Sequence, residues 1–253
     1  MGDAAEHISP YTGDSRDKTS QVEAMFDSIA PAYDFMNAAM SFGLHRRWLR
    51  KAIAEAALGN PVEILDVATG TADVAIALGR RMPQARITGI DLSEGMLEVG
   101  RRKVARAGLG GRIELRQADC LHLPFDDESF DCITVAYGVR NFERLLEGYR
   151  EMVRVLRKGG RLVVIELSTP PSPVVRPFYR FYTRCIIPAV GRMVSKDVRA
   201  YSYLPESIAA VAQGKDMTSL MERAGLSGTS FRRMTFGVCT IYTGIRGDLP
   251  SAH

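Results

Sequence analysis

The residues best suited to chemistry begin with the turn Asp66-Val67-Ala68-Thr69-Gly70-Thr71-Ala72-Asp73, which joins an apolar run to a helical one. Small residues there let the backbone approach a ligand closely, where bulky side chains would block it. Thr71 and the amides around Gly70 can hydrogen-bond an amino-acid carboxylate, while Asp66 and Asp73 put negative charge near a bound cation. Those acids repel a pyrophosphate but suit S-adenosylmethionine, whose sulfonium and α-ammonium are both positive. By itself the turn reads equally as an ordinary strand-to-helix connection with Asp73 as its cap. Two further acids favour the ligand. Asp91 stands where a carboxylate can accept from both ribose hydroxyls, and Asp119, followed by Cys120, can accept from an adenine amino group. The spacing G-x-G-x-x-G is missing, which disfavours the alternative from another class, an NAD(P)-dependent reductase.

These residues need elements that hold them at one edge. EILDVA (63–68), RITGID (86–91), IELRQAD (113–119), FDCITVAY (130–137) and RLVVIEL (161–167) read as strands, with helical patterns between most of them, notably Ser93 to Ala107 and Arg144 to Leu156. Continuous apolar strands separated by helices indicate a parallel sheet covered on both faces. Open α/β sheets bind ligands at strand C-terminal ends, where all three acids fall. At the end of the chain, 227–235 and 238–246 are joined by Phe236-Gly237 and pair most simply as a hairpin. The expectation is an α/β, Rossmann-like fold of the class I methyltransferase type. It has a seven-stranded, mostly parallel sheet, a C-terminal antiparallel hairpin and helices on both faces. Residues 1–20 and 247–253 are expected to be tails flanking one domain, 21–246. Within it, 22–58 form a helical lid, with Val22, Met25, Phe26 and Ile29 and then Phe35, Met36 and Met40 as its apolar residues, and 170–205 form a helical insertion.

The chain has 253 residues, 46% hydrophobic and 25% charged, with a formal net charge of +4. That suits one well-packed soluble domain. Without a dense basic stripe interleaved with aromatics, no nucleic-acid partner is expected. No metal is expected either. Cys120, Cys132, Cys185 and Cys239 include no C-x-x-C pair and read as reduced, mostly structural thiols. The N-terminus has no apolar core of a secretory signal, and no run is long enough to cross a bilayer. A cytoplasmic protein, peripheral at most to a membrane, is expected.

Four segments, LDVATGTAD, GIDLSEGML, QADCLHLPF and LRKGGRLVVIEL, resemble the successive motifs of class I methyltransferases, with Ala72 in place of the last glycine of the loop. Three others are more specific. VEAMFDSIAPAYDFMNAAMSFGLHRRW (22–48), AYGVRNF (136–142) and KDVRAYSYLPESI (196–208) resemble the ubiquinone/menaquinone biosynthesis C-methyltransferases, and the similarity runs from about Val22 to Arg246. The resemblance implies S-adenosylmethionine as cosubstrate and a polyprenylated quinol as acceptor, either a demethylmenaquinol or a methoxylated benzoquinol. It places cofactor contacts on Thr71, Asp91, Asp119 and Cys120. Ala136 stands where some members have a serine contact. Members of this family often form homo-oligomers. A methyltransferase for another phenolic or lipid acceptor is the nearest alternative.

Methylating a ring carbon requires an electron-rich ring, and ionising a phenol of pKa near 10 at pH 7 costs roughly 4 kcal/mol. Arg140 is the candidate cation for the developing quinolate. His45 has the intrinsic pKa of a base, Tyr33 is placed to orient the ring or a water, and Asn141 to hydrogen-bond a quinol oxygen. Between residues 170 and 200, Phe178, Phe181, Tyr182, Cys185, Ile186, Ala189 and Val190 follow helical spacing among six cations. They read either as a cover helix over the sheet or as an acceptor wall beside a basic surface that touches anionic lipid.

Overall fold

Ile64, Leu65, Asp66 and Val67 are all buried, as a strand sandwiched between two helical layers must be. The computed structural model describes residues 8–11, 13–187 and 198–247. In it this strand, β1 (Glu63–Val67), pairs in parallel with β2 (Arg86–Asp91) on one side and β4 (Phe130–Ala136) on the other. The seven-stranded order is β3-β2-β1-β4-β5-β7-β6, with β3 Ile113–Gln117, β5 Leu156–Leu167, β6 Leu226–Met234 and β7 Cys239–Arg246. β7 is antiparallel to both neighbours, as the Phe236-Gly237 turn predicts. Strand order reverses between β1 and β4, and a crevice opens beyond the strand ends at such a reversal.

The helices follow local chemistry. Ser93 caps α5 (Glu94–Arg106) by accepting from the Met96 amide at 3.1 Å. The cap of α4 (Asp73–Arg81) is Ala72, in a left-handed conformation with φ 65°. Asp73 is therefore the first residue inside the helix, not its cap, and it pairs with Lys103 at 2.6 Å. α6 (Leu145–Val155) yields at Leu156 to a β5 five residues longer than RLVVIEL, carried by a register shift beside β4 between Phe130 and Cys132.

The two faces of the sheet carry separate apolar cores, one under α6 and one under α3 (Leu44–Ala56) and α4. A third apolar cluster forms a roof over the strand ends. It is built from α1 (Lys18–Ile29), α2 (Tyr33–Met40), Ile187 and the helix Val198–Ala210, with Met25, Ile29, Met36 and Tyr203 at its centre. α1 begins inside the segment 1–20: Asp17 caps it by accepting from the Ser20 amide at 2.7 Å, and the Lys18 ammonium donates to the Phe142 carbonyl at 3.1 Å. Residues 1–7 and 248–253, parts of the two expected tails, lie outside the described residues.

Two burial expectations fail. Phe35, grouped with Met36 as apolar lid, is 62% exposed. In the 170–205 insertion, α7 (Val175–Phe181) runs into a wider π-type turn over Tyr182–Ile186. Thr183 and Ile187 are the buried residues, in line with half-buried Val175, Tyr179 and Tyr182, while Phe178, Phe181, Cys185 and Ile186 face the other way and are exposed. Ala189 and Val190 lie outside the described residues.

Candidate active site

β1 ends at a loop whose backbone is forced into conformations side chains rarely adopt. Ala68, Gly70 and Ala72 all have positive φ, at 54°, 54° and 65°. Opposite them, a Cβ at Gly138 would lie 2.6 Å from the Ala68 Cβ, so two strand ends meet at a distance only glycine permits. Tyr137, beside Gly138, also has positive φ at 59°. Such strain gathers where a ligand-shaped space must be held open.

The crevice between these strand ends is lined by Gly70, Asp91, Asp119 and Cys120, four of the residues expected to bind cofactor. Asp91 Oδ2 accepts from the Gly70 amide at 2.8 Å and Oδ1 from the Ser93 amide at 3.0 Å, which fixes the carboxylate and leaves lone pairs for a diol. Burial pushes its pKa up to about 6, against those amides. Asp119 accepts from the Leu121 amide at 2.9 Å. Burial, then the neighbouring Asp119 charge, holds the Cys120 thiol well above its usual range, so it is a neutral wall and not a nucleophile.

Asp66 and Thr71 sit elsewhere. Asp66 is buried beneath the loop, where its two oxygens accept from Thr134 Oγ1 at 2.6 Å and Thr69 Oγ1 at 2.7 Å. It braces the loop and does not line the crevice. Thr71 Oγ1 donates to Asp34 at 2.5 Å, in a cluster where Lys103 bridges Asp34 and Asp73. Its side chain is thereby directed at α2 and α5, tying the lid to the loop.

Beside the crevice, under the roof, is a cavity of about 380 Å³ with mostly apolar walls, among them Met25, Ile29, Met36 and Trp48. Phe26, Tyr33, Tyr137 and Asn141 line both spaces, so the two adjoin across these four side chains. The polar lining of the cavity includes Arg140, Asn141, His45, Tyr137 and Tyr203. All four expected catalytic residues, Tyr33, His45, Arg140 and Asn141, therefore face one cavity.

Arg140 is buried and pairs through Nη1 with Glu166 Oε1 at 2.8 Å, its backbone amide reaching Oε2 at 3.3 Å. Nη1 also donates to the Tyr137 carbonyl. Burial works against the guanidinium charge and Glu166 outweighs it, so the cation persists. Arg140 Nε, Asn141 Oδ1 and the hydroxyls of Tyr137 and Tyr203 are buried without a hydrogen-bond partner. Unpaired polar atoms on residues that line one cavity are costly, so their clustering marks a place where a partner is to be expected.

His45 is held by Ser41. The Ser41 hydroxyl donates to the Asn37 carbonyl at 2.6 Å and lies 2.7 Å from His45 Nδ1. A hydroxyl has one proton, so Nδ1 must be the donor to Ser41, and Nε2 carries the free lone pair. Burial, then Arg46, lowers the imidazole pKa, which keeps the ring neutral at pH 7.

Glu166, Tyr137 and Tyr203 were not singled out in the sequence. Glu166 left a signal, a lone acid in the apolar run RLVVIEL that needs a buried cation. The tyrosines left none, since a buried Tyr with a satisfied hydroxyl has the same local pattern.

A ligand crevice at the switch point of a 3-2-1-4-5-7-6 sheet, with acids at the ends of β1, β2 and β3, defines the S-adenosylmethionine-dependent methyltransferases. A solved methyltransferase of this type from Thermotoga maritima superposes with a TM-score of 0.61 at 17% identity, covering 88% of this chain and 99% of that one. The [4+2]-cyclase SpnF superposes at 0.68 with 16% identity over 90% and 97% of the two chains, so the fold alone does not fix the reaction. The chain belongs to the ubiE/COQ5 methyltransferase family, whose model matches residues 14–246. It is 48% identical to the demethylmenaquinone methyltransferase of Bacteroides fragilis over 94% of this chain and 97% of that one. It is 42% identical to the ubiquinone/menaquinone biosynthesis C-methyltransferase UbiE of Geobacter sulfurreducens over 91% and 90%.

Proposed function

We propose that the chain moves a methyl group from S-adenosylmethionine to a ring carbon of a polyprenylated demethylmenaquinol. The observation that carries this reading is the cavity that adjoins the crevice, with mostly apolar walls and a few polar residues in its lining that hold unpaired atoms. An amphipathic quinol with a hydrocarbon tail matches both parts. The relatives named demethylmenaquinone methyltransferase favour a naphthoquinol.

The crevice suits the cosubstrate. Asp91 accepts from the ribose hydroxyls, Asp119 from the adenine amino group, and the Gly70 backbone leaves room for the amino-acid end. Bound there, S-adenosylmethionine supplies an electrophilic methyl group. His45 Nε2 takes the quinol hydroxyl proton, directly or through a water. Arg140 Nε and Asn141 hold the quinol oxygens; because Glu166 neutralises much of the guanidinium charge, Arg140 acts chiefly as a fixed donor. The activated ring carbon bonds to the methyl carbon as the methyl–sulfur bond breaks, and the hydrogen on that ring carbon leaves as a proton. Tyr33, shared by both spaces and packed edge-on against Phe26, aligns carbon, methyl and sulfur. The tail leaves through the apolar mouth at Phe42, Leu44 and Phe178, toward a membrane.

The test is a mass gain of one methyl on a short-tail demethylmenaquinol, with the oxidised quinone and a reduced methoxy-benzoquinol alongside. Methylation of the reduced naphthoquinol and not of the quinone is expected. Methylation of the benzoquinol alone would transfer the proposal to that acceptor, and no product from either would end it.

A further inference from the structure

Away from the active site, a groove between α3 and α4 is lined by Arg47, Arg50, Lys51, Arg80 and Arg81 over Ile53, Ala54 and Ala77. No carboxylate lines it, and among the described residues none of the five cations forms an ion pair. Other surface arginines do have carboxylate partners, as in Arg101–Glu94, Arg154–Asp127 and Arg157–Asp131. Arg80 and Arg81 have a local reason to be where they are, since they end α4 and favour its negative pole. Arg47, Arg50 and Lys51 lie within α3, where no helix end helps them, and their mutual repulsion calls for an anion from outside.

The groove and the mouth of the acceptor cavity both draw residues from α3. Leu44, Arg47 and Lys51 are spaced three and seven residues apart and share one face of α3. At 1.5 Å per residue, Arg47 stands about 5 Å and Lys51 about 10 Å along the axis from Leu44. Leu44 lines the mouth beside Phe42 and Phe178, which are 78% and 74% exposed. Large exposed aromatics beside unpaired cations match the chemistry of a bilayer interface, with rings among the acyl chains and cations on the phosphates.

We infer that the α3–α4 groove is a lipid-phosphate site and that, with the aromatic mouth, it seats the protein on an anionic bilayer with the cavity facing the leaflet. The groove cations hold the headgroups, Phe42, Leu44 and Phe178 enter the interface, and the quinol tail passes between leaflet and cavity without crossing water. The purpose of this seating rests on the quinol reading; the binding itself does not.

The experiment is co-sedimentation of the full chain with phosphatidylcholine vesicles, with and without phosphatidylglycerol. It compares the wild type with R47Q/R50Q/K51Q and with R80Q/R81Q. One cation near an anionic surface is worth about fivefold in partitioning, so losses of about 100-fold and about 25-fold are expected, with no comparable change on neutral vesicles. Thermal melting and turnover of a detergent-dispersed short-tail quinol should stay at wild-type level in both variants, since none of the five residues lines the cavity. A fall of less than about fivefold in both variants overturns the inference, as that is the share of a single cation. Equal wild-type binding to neutral and anionic vesicles, or a preference for single-stranded RNA over vesicles, overturns it too. If the wild type binds anionic vesicles as described but methylates no quinol, the proposed reaction fails and the lipid site stands.

Discussion

Two carboxylates with the same elevated pKa have different roles. Asp91 and Asp66 are both pushed up to about 6, burial being the larger cause in each. Asp91 faces the crevice and receives the ribose as an anion, so affinity for S-adenosylmethionine should rise with pH through about 6 and level off above it. In D91N this dependence should vanish, and affinity should fall about ten- to hundredfold with the loss of charge-assisted bonds; calorimetric titration between pH 5 and 8 reads both. Asp66 braces the loop, so D66N should leave cofactor affinity nearly unchanged. Its raised folded-state pKa contributes stability below the unfolded value near 4, and that contribution is lost as pH rises to about 6. Denaturant melts should therefore show the wild type losing ground to D66N between those values. Arg140 separates chemistry from folding. R140A leaves Glu166 buried without its counter-ion, held only by backbone amides, and should cost about 3–5 kcal/mol of stability. R140K keeps the ion pair but loses the planar donors, so it should fold and bind cofactor while kcat falls at least about tenfold. The acids at 91 and 119 were legible in the sequence because each follows a segment that reads as a strand. The orientation of Asp66 and Thr71 was not, since it depends on Thr134, Asp34 and Lys103, which lie far away in the chain.

At the scale of elements, the missing glycine at position 72 has its counterpart on α5. Ala72 holds φ 65°, and its methyl group faces Gly100, where an added Cβ would come within 3.3 Å of it and 2.9 Å of Leu115 Cδ1. The loop narrows by one methyl group and the helix retreats by one, a pairing visible only once α5 is docked. G100A should therefore destabilise the protein by about 1–3 kcal/mol, the usual cost of overpacking. G138A, which drives a Cβ into Ala68, should in addition weaken cofactor binding, because the clash falls on the crevice wall. Strands and hairpin were legible from periodicity and turn residues. The buried face of the 170–187 segment was not, because apolar residues stand on both faces and the one turned inward, through Tyr179, Thr183 and Ile187, is set by packing under the roof and not by the more apolar stripe.

Across the whole molecule, the sheet with its two cores is a platform, and the roof is a separate apolar cluster resting on it. The roof is tied down by a few polar contacts: Asp27 accepts from Ser93 Oγ at 2.6 Å and the Gly95 amide at 3.0 Å, and Thr19 donates to Glu143 at 2.8 Å. Fewer buried strands and more water-accessible ties imply lower local stability. Amides of α1 and α2 should thus exchange faster than those of β1 and β4, and slow when S-adenosylmethionine binds beneath them. No helix among the described residues is long and apolar enough to cross a membrane. The central claim is that the methyl group reaches a ring carbon of a quinol. The most direct measurement supplies S-adenosylmethionine labelled with carbon-13 in its methyl group, together with reduced short-tail demethylmenaquinol, and locates the label by NMR. The expected product carries the label in a methyl group bonded directly to the ring carbon ortho to a hydroxyl-bearing carbon, with the shift of an aryl methyl and not of a methoxy group. Label found as a methoxy group, or retained wholly in the cosubstrate while the crevice binds it normally, would contradict the claim.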